Sequence, residues 1–327
     1  MSIRAAFVAA FALLLTQPGA HAQSLSYTKG QNVSPAFEGW EEAADGSKYF
    51  LFGYMNRNWE EEVNVPVGAD NGFTPGNADQ GQPTHFLPRR NRFVFRVAVP
   101  KTFTEKDEMI WTLTTHGKTE KAYASLRLDY KVDDVVKASE TGALGAGTSS
   151  PEVRSNKPPV VKVEGPKTLT AKVGQPLTLT ALVTDDGIPK RRAAGGSAAV
   201  SNAGSRRDAQ GAAGGRGGDP AQQRQQRAMQ PPSRVTVGKN VGLHLSWFVY
   251  RGNGSVTFDP DQVKPWEDTR AGANSPWAPL WTPPEMPADG RVVVHATFSE
   301  PGTYVLRGLA DDGALFGGDE VTVTVRP

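Results

Sequence analysis

The chain has no cysteine among its 327 residues. That excludes disulfides, thiolate metal sites, thiol nucleophiles and a lipid-bearing cysteine behind a leader. Histidine is scarce, and His85, His116, His244 and His295 lie far apart with no His-Glu-x-x-His pair, so a zinc hydrolase lacks its ligand spacing. Neither a Gly-x-Ser-x-Gly elbow nor a Gly-x-x-x-x-Gly-Lys loop occurs. A polysaccharide-cleaving β-sandwich enzyme needs only two facing carboxylates and no local motif, so that alternative stays open. No cofactor is called for by any motif, apart from calcium at the acidic positions considered below.

Long apolar runs are missing too. Beyond Ala5–Leu15 nothing approaches the ~20 apolar residues of a membrane helix. That run follows a single basic residue, Arg4, and leads to Pro18 and the triplet Ala20-His21-Ala22. A short apolar core before a small-x-small triplet reads as a secretory signal peptide over residues 1–22, and predicts export to the periplasm or the extracellular space.

The formal charge of +2 conceals an asymmetry: from Lys190 to Arg234 nine Lys or Arg stand against two acids, a net +7. The rest of the exported chain is therefore mildly acidic. Residues 189–234 are rich in Gly, Ala, Gln and Arg and nearly free of large apolar side chains. Ordering costs about 1–2 kcal/mol per residue in backbone entropy, which such a composition cannot offset by burial. The expectation is a disordered basic insertion, suited to an anionic envelope polymer or to folding back on its acidic host.

What remains is strand pattern. In "SKYFLFGYMNRN" both alternating faces are apolar, as in a central strand. "RFVFRVAVP" puts Phe93, Phe95, Val97 and Val99 on one face and Arg92 and Arg96 on the other. "MIWTLTTHGKTEKAYASLRLDYKV" reads as two strands about Gly117-Lys118. Regular short strands place an N-terminal β-sandwich at residues 23–137. Residues 138–157 lose periodicity and fill with Gly, Ser and Thr, which predicts a flexible linker. The β pattern resumes at residue 158.

From there the sequence resembles the bacterial immunoglobulin-like domains of the polycystic-kidney-disease-like kind. The resemblance rests on "VGQPLTLTALVTDDG", on "LHLSWFVYRGNG" with Trp247 at the core tryptophan, and on the closing "PGTYVLRGLADDG". It implies strands A and B before the insertion, strand C at Trp247, and strands F and G at the end. Tyr304 would then bond back across the corner before strand F. The fold expected is all-β, two sandwiches in tandem, the second over 158–327 with its insertion between strands B and C.

Three sets of residues are candidates for chemistry. Asp185, Asp186, Asp311 and Asp312 stand in two Asp-Asp-Gly triplets that the resemblance brings to one end of the sandwich. Four carboxylates there could hold Ca2+, or each triplet could simply turn the chain. The long loop Val67–Arg92 offers Asp70 and Asp79 as further hard-oxygen ligands, with His85, Arg89 and Arg90 as a grip for an anion. Trp266, Trp277 and Trp281 lie in a proline-rich loop from Asp259 to Gly290, where they could stack on carbohydrate or cover an open sheet edge. Together these predict a binding or accessory protein for a carbohydrate or envelope component. A polysaccharide-cleaving enzyme and a structural spacer or assembly partner are the alternatives.

Overall fold

The computed structural model describes residues 27–142, 151–190, 239–270, 272–278 and 281–327. The signal-peptide reading, and the insertion beyond its first two residues, lie outside them.

Two sheets make the first sandwich. One has the order β1-β2-β6, from Val33–Glu42, Lys48–Asn56 and Arg89–Ala98; the other has the order β4-β7-β8, from Asn71–Thr74, Met109–Thr115 and Lys118–Ala124. A small ribbon pairs β3 (Val63–Asn64) with β5 (His85–Phe86). As a central strand, β2 is apolar on both faces, with Phe50, Leu51, Phe52 and Tyr54 all buried. Aromatic rings fill the space between the sheets: Phe73 stacks on Trp111 at 5.8 Å and Phe95 meets the same indole edge-on at 5.1 Å.

The loop Val67–Arg92 is more ordered than its composition predicts, since it contains β4, β5 and the start of β6. Asn71 is the reason. Fully buried, its amide donates to Val65 O and Pro83 O, both at 2.9 Å, and accepts from Trp111 Nε1 at 3.0 Å. One side chain thereby ties both arms of the loop to the aromatic core.

The clean alternation expected of β6 is also interrupted. Phe52 pairs with Phe95 and Tyr54 with Asn91, so Arg92, Phe93 and Val94 together oppose Gly53. Arg89 and Phe93 take left-handed φ values of 60° and 51°, each a conformation that costs a non-glycine residue of order 1–3 kcal/mol. Gly53 is required at the bulge because a Cβ there would lie 2.4 Å from Asn91 O. Such bulges re-aim side chains, and this one turns Arg92 onto Glu267 of the second domain.

The linker expected over 138–157 gives way at both ends to helix. Helix α1 (Asp134–Glu140) is capped by the Asp133 carboxylate, which accepts from Val136 N at 2.9 Å. It buries Ala138 against Ala314 and Leu315, so tertiary packing carries it across the expected boundary at residue 137. Helix α2 (Pro151–Ser155) follows, and residues 143–150 lie outside the described set.

The second sandwich has the sheets β13-β14-β11-β9 and β10-β16-β15-β12. In chain order its strands are β9 (Val160–Val163), β10 (Thr168–Lys172), β11 (Pro176–Thr184), β12 (His244–Arg251), β13 (Val256–Asp259), β14 (Arg291–Phe298), β15 (Gly302–Asp311) and β16 (Phe316–Arg326). The chain thus changes sheet at every step from β9 to β13, stays for β14, and crosses once more to β15 and β16, in the immunoglobulin-like manner. Trp247 is 1% exposed between the sheets, and Tyr304 Oη donates to Glu300 O at 2.9 Å across the corner before β15. Among the described residues the structure is all-β apart from short helices.

Replacing Asn71 by Ala should lower stability by about 3 kcal/mol, because a buried donor and two buried carbonyls lose their partners at ~1–3 kcal/mol each, not fully additively. Urea titration checks this. Asp70→Ala, one residue away and exposed, should shift the midpoint by less than about 0.5 kcal/mol.

Candidate functional site

Strand β12 lies at the edge of its sheet, and both of its faces are buried: Leu245, Trp247 and Val249 on the core side, His244, Ser246 and Tyr250 on the other. An open edge exposes unpaired backbone groups. Here the first domain and the loop after β13 close it. Thr84 N donates to Tyr250 O at 3.2 Å, Gly252 N to Thr84 Oγ1 at 3.2 Å, and Trp247 N to Gln262 Oε1 at 2.9 Å. Tyr250 Oη reaches Gly81 O at 2.5 Å, and Arg251 makes a two-pronged pair with Asp79 at 2.7 and 3.0 Å. The loop Val67–Arg92 is therefore the docking element between the domains.

Arg307 sits at the centre of this seam. It donates to Val94 O at 2.5 Å, pairs with Glu320 on the neighbouring strand, and lies 3.6 Å over the Tyr250 ring. Farther along, Trp59 is flanked by the guanidinium groups of Arg89 at 4.0 Å and Arg270 at 4.9 Å. Burial alone would raise the Asp268 carboxyl, but bonds from Arg270 and Lys264 outweigh it and hold the group down at about 2. A cavity of about 70 Å³ remains inside the seam, bordered by Arg90, Arg92, Lys239, Arg307 and Trp277. It has room for a few water molecules. Its cations are matched by Glu38, Glu267, Asp311 and Glu320.

The residues proposed to grip an anion are engaged within the protein. His85 is buried, with Nδ1 2.7 Å from Asn64 Oδ1 and Nε2 3.1 Å from Glu62 Oε2. Arg90 meets the Glu38 carboxylate at 2.7 Å, and Arg89 donates to Arg57 O at 3.0 Å. Asp79 belongs to Arg251, while Asp70 is exposed and takes part through its carbonyl, which accepts from Thr114 N at 2.8 Å.

The tryptophans do not form one exposed stacking face. Trp266 is buried, Trp281 lies half-buried with its ring 5.1 Å from that of buried His244, and Trp277 borders the seam cavity. The physical reason is area: a large ring removes more apolar surface from water by packing on protein, as Trp281 does on His244 of β12, than by facing solvent.

The two Asp-Asp-Gly triplets do come to the same end of the sandwich. Neighbouring residues tie them together, Asn156 Nδ2 donating to Asp312 and Lys157 N to Asp186, both at 3.0 Å. Each aspartate also turns the chain. Asp185 accepts from Gly187 N, Asp186 from Ile188 N, Asp311 from Gly313 N, and Asp312 from Ala314 N and Leu315 N. Among the described residues no three His, Asp or Glu side chains gather as a metal-binding group. Burial pushes the Asp312 carboxyl up to about 7 in spite of its bonds, and it raises Asp185 as well. Burial also works against a charged Asp311, but the adjacent Lys239 prevails and holds that group below the ordinary range.

The pattern-based reading missed Arg251, Glu267, Arg307 and Asn156. Their only signal was a charge or amide where a strand or its flank should be apolar or indifferent, as in "YVLRGLAD".

No family model matches the chain, and no curated protein matches it. Among solved structures it is similar to immunoglobulin domains 1–4 of Sidekick-1, at 8% identity and a TM-score of 0.22, over 90% of this chain and 48% of that one. Fibronectin(III)-like modules of Clostridium thermocellum CbhA align at 9% identity and a TM-score of 0.21, over 90% of this chain and 94% of theirs. Domains 4 and 5 of the S-layer protein SbsC align at 8% and 0.21, over 91% and 98%. The chain spans about half the length of the Sidekick-1 fragment. At such scores the placement rests on the strand order itself, which is that of a β-sandwich pair whose second member is immunoglobulin-like.

Two outcomes follow for the seam. Arg307→Ala should split a single calorimetric unfolding peak into two, since it frees Val94 O and leaves Glu320 without its partner. For Asp268 the folded value lies below that of the unfolded chain, ~3.9. Its contribution, about 2 kcal/mol, is thus complete above pH 4 and lost as the pH falls towards 2. Asp268→Asn should accordingly destabilise at pH 6 and match the parent near pH 2 in urea titrations.

Proposed function

We propose that this chain is an exported, non-catalytic accessory protein that binds a carbohydrate or another envelope component, its two sandwiches acting as one rigid unit. The seam is the observation behind this reading. Both long loops, Val67–Arg92 and Asp259–Gly290, are built into contacts with β12 or across the domains. Beside them the seam leaves an open groove of about 710 Å³, bordered by Phe93, Arg96, Asp134, Lys137, Phe316 and Asp319. That volume falls within the range of ligand clefts, and planar charged groups beside aromatic rings suit an array of hydroxyls. The signal-peptide pattern in the sequence of residues 1–22 supports export. Trp247 and the Tyr304 corner support a second sandwich of the polycystic-kidney-disease-like kind.

The test is retention of purified protein on envelope polysaccharides and glycan arrays. Binding should fall at least tenfold in Arg96→Ala combined with Asp134→Ala, both at the groove rim. Failure to bind any such material would sink the reading and favour a rigid spacer, for which the same seam is the natural device. Release of new reducing ends would point instead to a polysaccharide-cleaving enzyme.

A further inference from the structure

Strand β6 lies at the edge of its sheet, whose order is β1-β2-β6. Val99 N donates to Lys48 O at 2.9 Å and so sets the phase of β6 against β2. Antiparallel partners alternate between bonded and non-bonded pairs. Val97 and Phe95 therefore turn their N–H and C=O towards Phe50 and Phe52, while Ala98 and Arg96 turn theirs away from the sheet. This outward row points at the second domain, because two residues before Arg96 the Val94 carbonyl accepts from Arg307 Nη1 at 2.5 Å. That donor closes the edge at one position. Among the described residues no donor or acceptor meets the outward backbone groups of Arg96 and Ala98.

An open edge is commonly guarded by a charged side chain standing over it. Arg96 does not stand there. Its guanidinium lies 4.3 Å over the Tyr49 ring of β2 and 3.6 Å from Glu41 on β1, drawn back across the face of its own sheet. The edge of β12, by contrast, is closed by Thr84 and Gln262. Beyond the edge of β6 runs the groove of about 710 Å³, and its opposite side carries Leu309, Leu315 and Phe316 beside Gly317 and Gly318. The glycines let another backbone come close, and the apolar group offers a seat for side chains on one face of it. Every second residue of the edge presents one N–H and one C=O, a repeat of roughly 7 Å. An extended polypeptide matches that repeat group for group, whereas glycan hydroxyls meet it only at single points.

We propose that the groove takes an extended segment of another polypeptide, which adds to β6 as a further strand and sets alternate apolar side chains on Leu309, Leu315 and Phe316. This rests on the reading of the groove as the binding site, and it makes the envelope component held there a protein.

Panning a random decapeptide display library on the full-length chain, followed by fluorescence anisotropy with the enriched peptides, tests this. Those peptides should carry apolar residues at alternate positions and bind saturably. N-methylation of every second residue should weaken binding by about tenfold or more in one phase and leave it nearly unchanged in the other, because only one row of a strand's N–H groups faces β6. Ala98→Pro removes an outward N–H without touching the ladder to β2. It should weaken binding by about tenfold with the thermal midpoint unchanged. The proposal is overturned if no peptide enriches, if both methylation phases bind alike, or if Ala98→Pro with an unchanged midpoint binds as the parent does. Dimerisation of the parent in sedimentation, lost in Ala98→Pro, would assign the edge to a second copy and overturn it as well. A chain that fails these tests yet is retained on polysaccharide through Arg96 and Asp134 loses the added strand alone and keeps the groove as its binding site, whereas failure of both removes both.

Discussion

An edge strand with two buried faces sets the terms for the rest of this structure. In an isolated immunoglobulin-like sandwich, β12 would show water one face and one row of backbone groups. Here that face carries His244, Ser246 and Tyr250, all buried, so something must cover it. Burial also fixes the state of His244: surrounded by protein and bonded to Gly242 O at 2.9 Å, its ring is driven towards the neutral form. The first domain closes one stretch of the edge with Thr84, and the proline-rich loop closes another with Gln262. Neither domain would have the same surface alone.

That constraint explains why so much charge is buried between the domains. Taking Arg307 or Arg92 out of water is unfavourable unless each finds a carboxylate: Arg307 has Glu320 and Val94 O as well, and Arg92 has Glu267. It also accounts for the strained start of β6. A regular strand would carry Arg90 and Arg92 on alternating positions of one sheet. The three-residue bulge opposite Gly53 instead brings Arg92 to Glu267 while Arg90 stays with Glu38. Two non-glycine residues with left-handed φ within five positions are tolerated beside the contacts of this stretch, Arg92 with Glu267 and Arg89 with Arg57 O.

The fold was legible where hydrophobic periodicity is local. Strands β2, β11, β12 and β15 stand out as alternating or doubly apolar runs, and Trp247 and Tyr304 occupy the places that their motifs imply. The seam was not legible, because it is made of polar residues whose partners lie more than 150 positions away, such as Arg251 with Asp79 and Arg307 with Val94. Periodicity carries no information about such pairs. Asn71 shows the same limit in one residue: in the sequence it is one more turn former in an Asn- and Gly-rich loop, and in the fold it is the anchor that gives the loop its shape. Helix α1 was missed for a related reason, its single buried side chain, Ala138, packing against a segment far along the chain.

The two Asp-Asp-Gly triplets show how little a motif says about ionisation. All four aspartates turn the chain by accepting from backbone N–H groups within three residues, and to that extent the triplets are equivalent. Their surroundings separate them. Asp311 has an ammonium group beside it and stays charged, whereas Asp312, one residue later, is buried with amide donors alone and is pushed up to about 7. Asp185 is raised by burial without any cation to offset it. One end of the sandwich therefore holds a settled ion pair, Lys239 with Asp311, next to carboxyl groups whose charge has no counterpart among the described residues. A turn motif supplies the positions, and the depth at which each copy is buried decides whether its charge is satisfied internally or presented to something else.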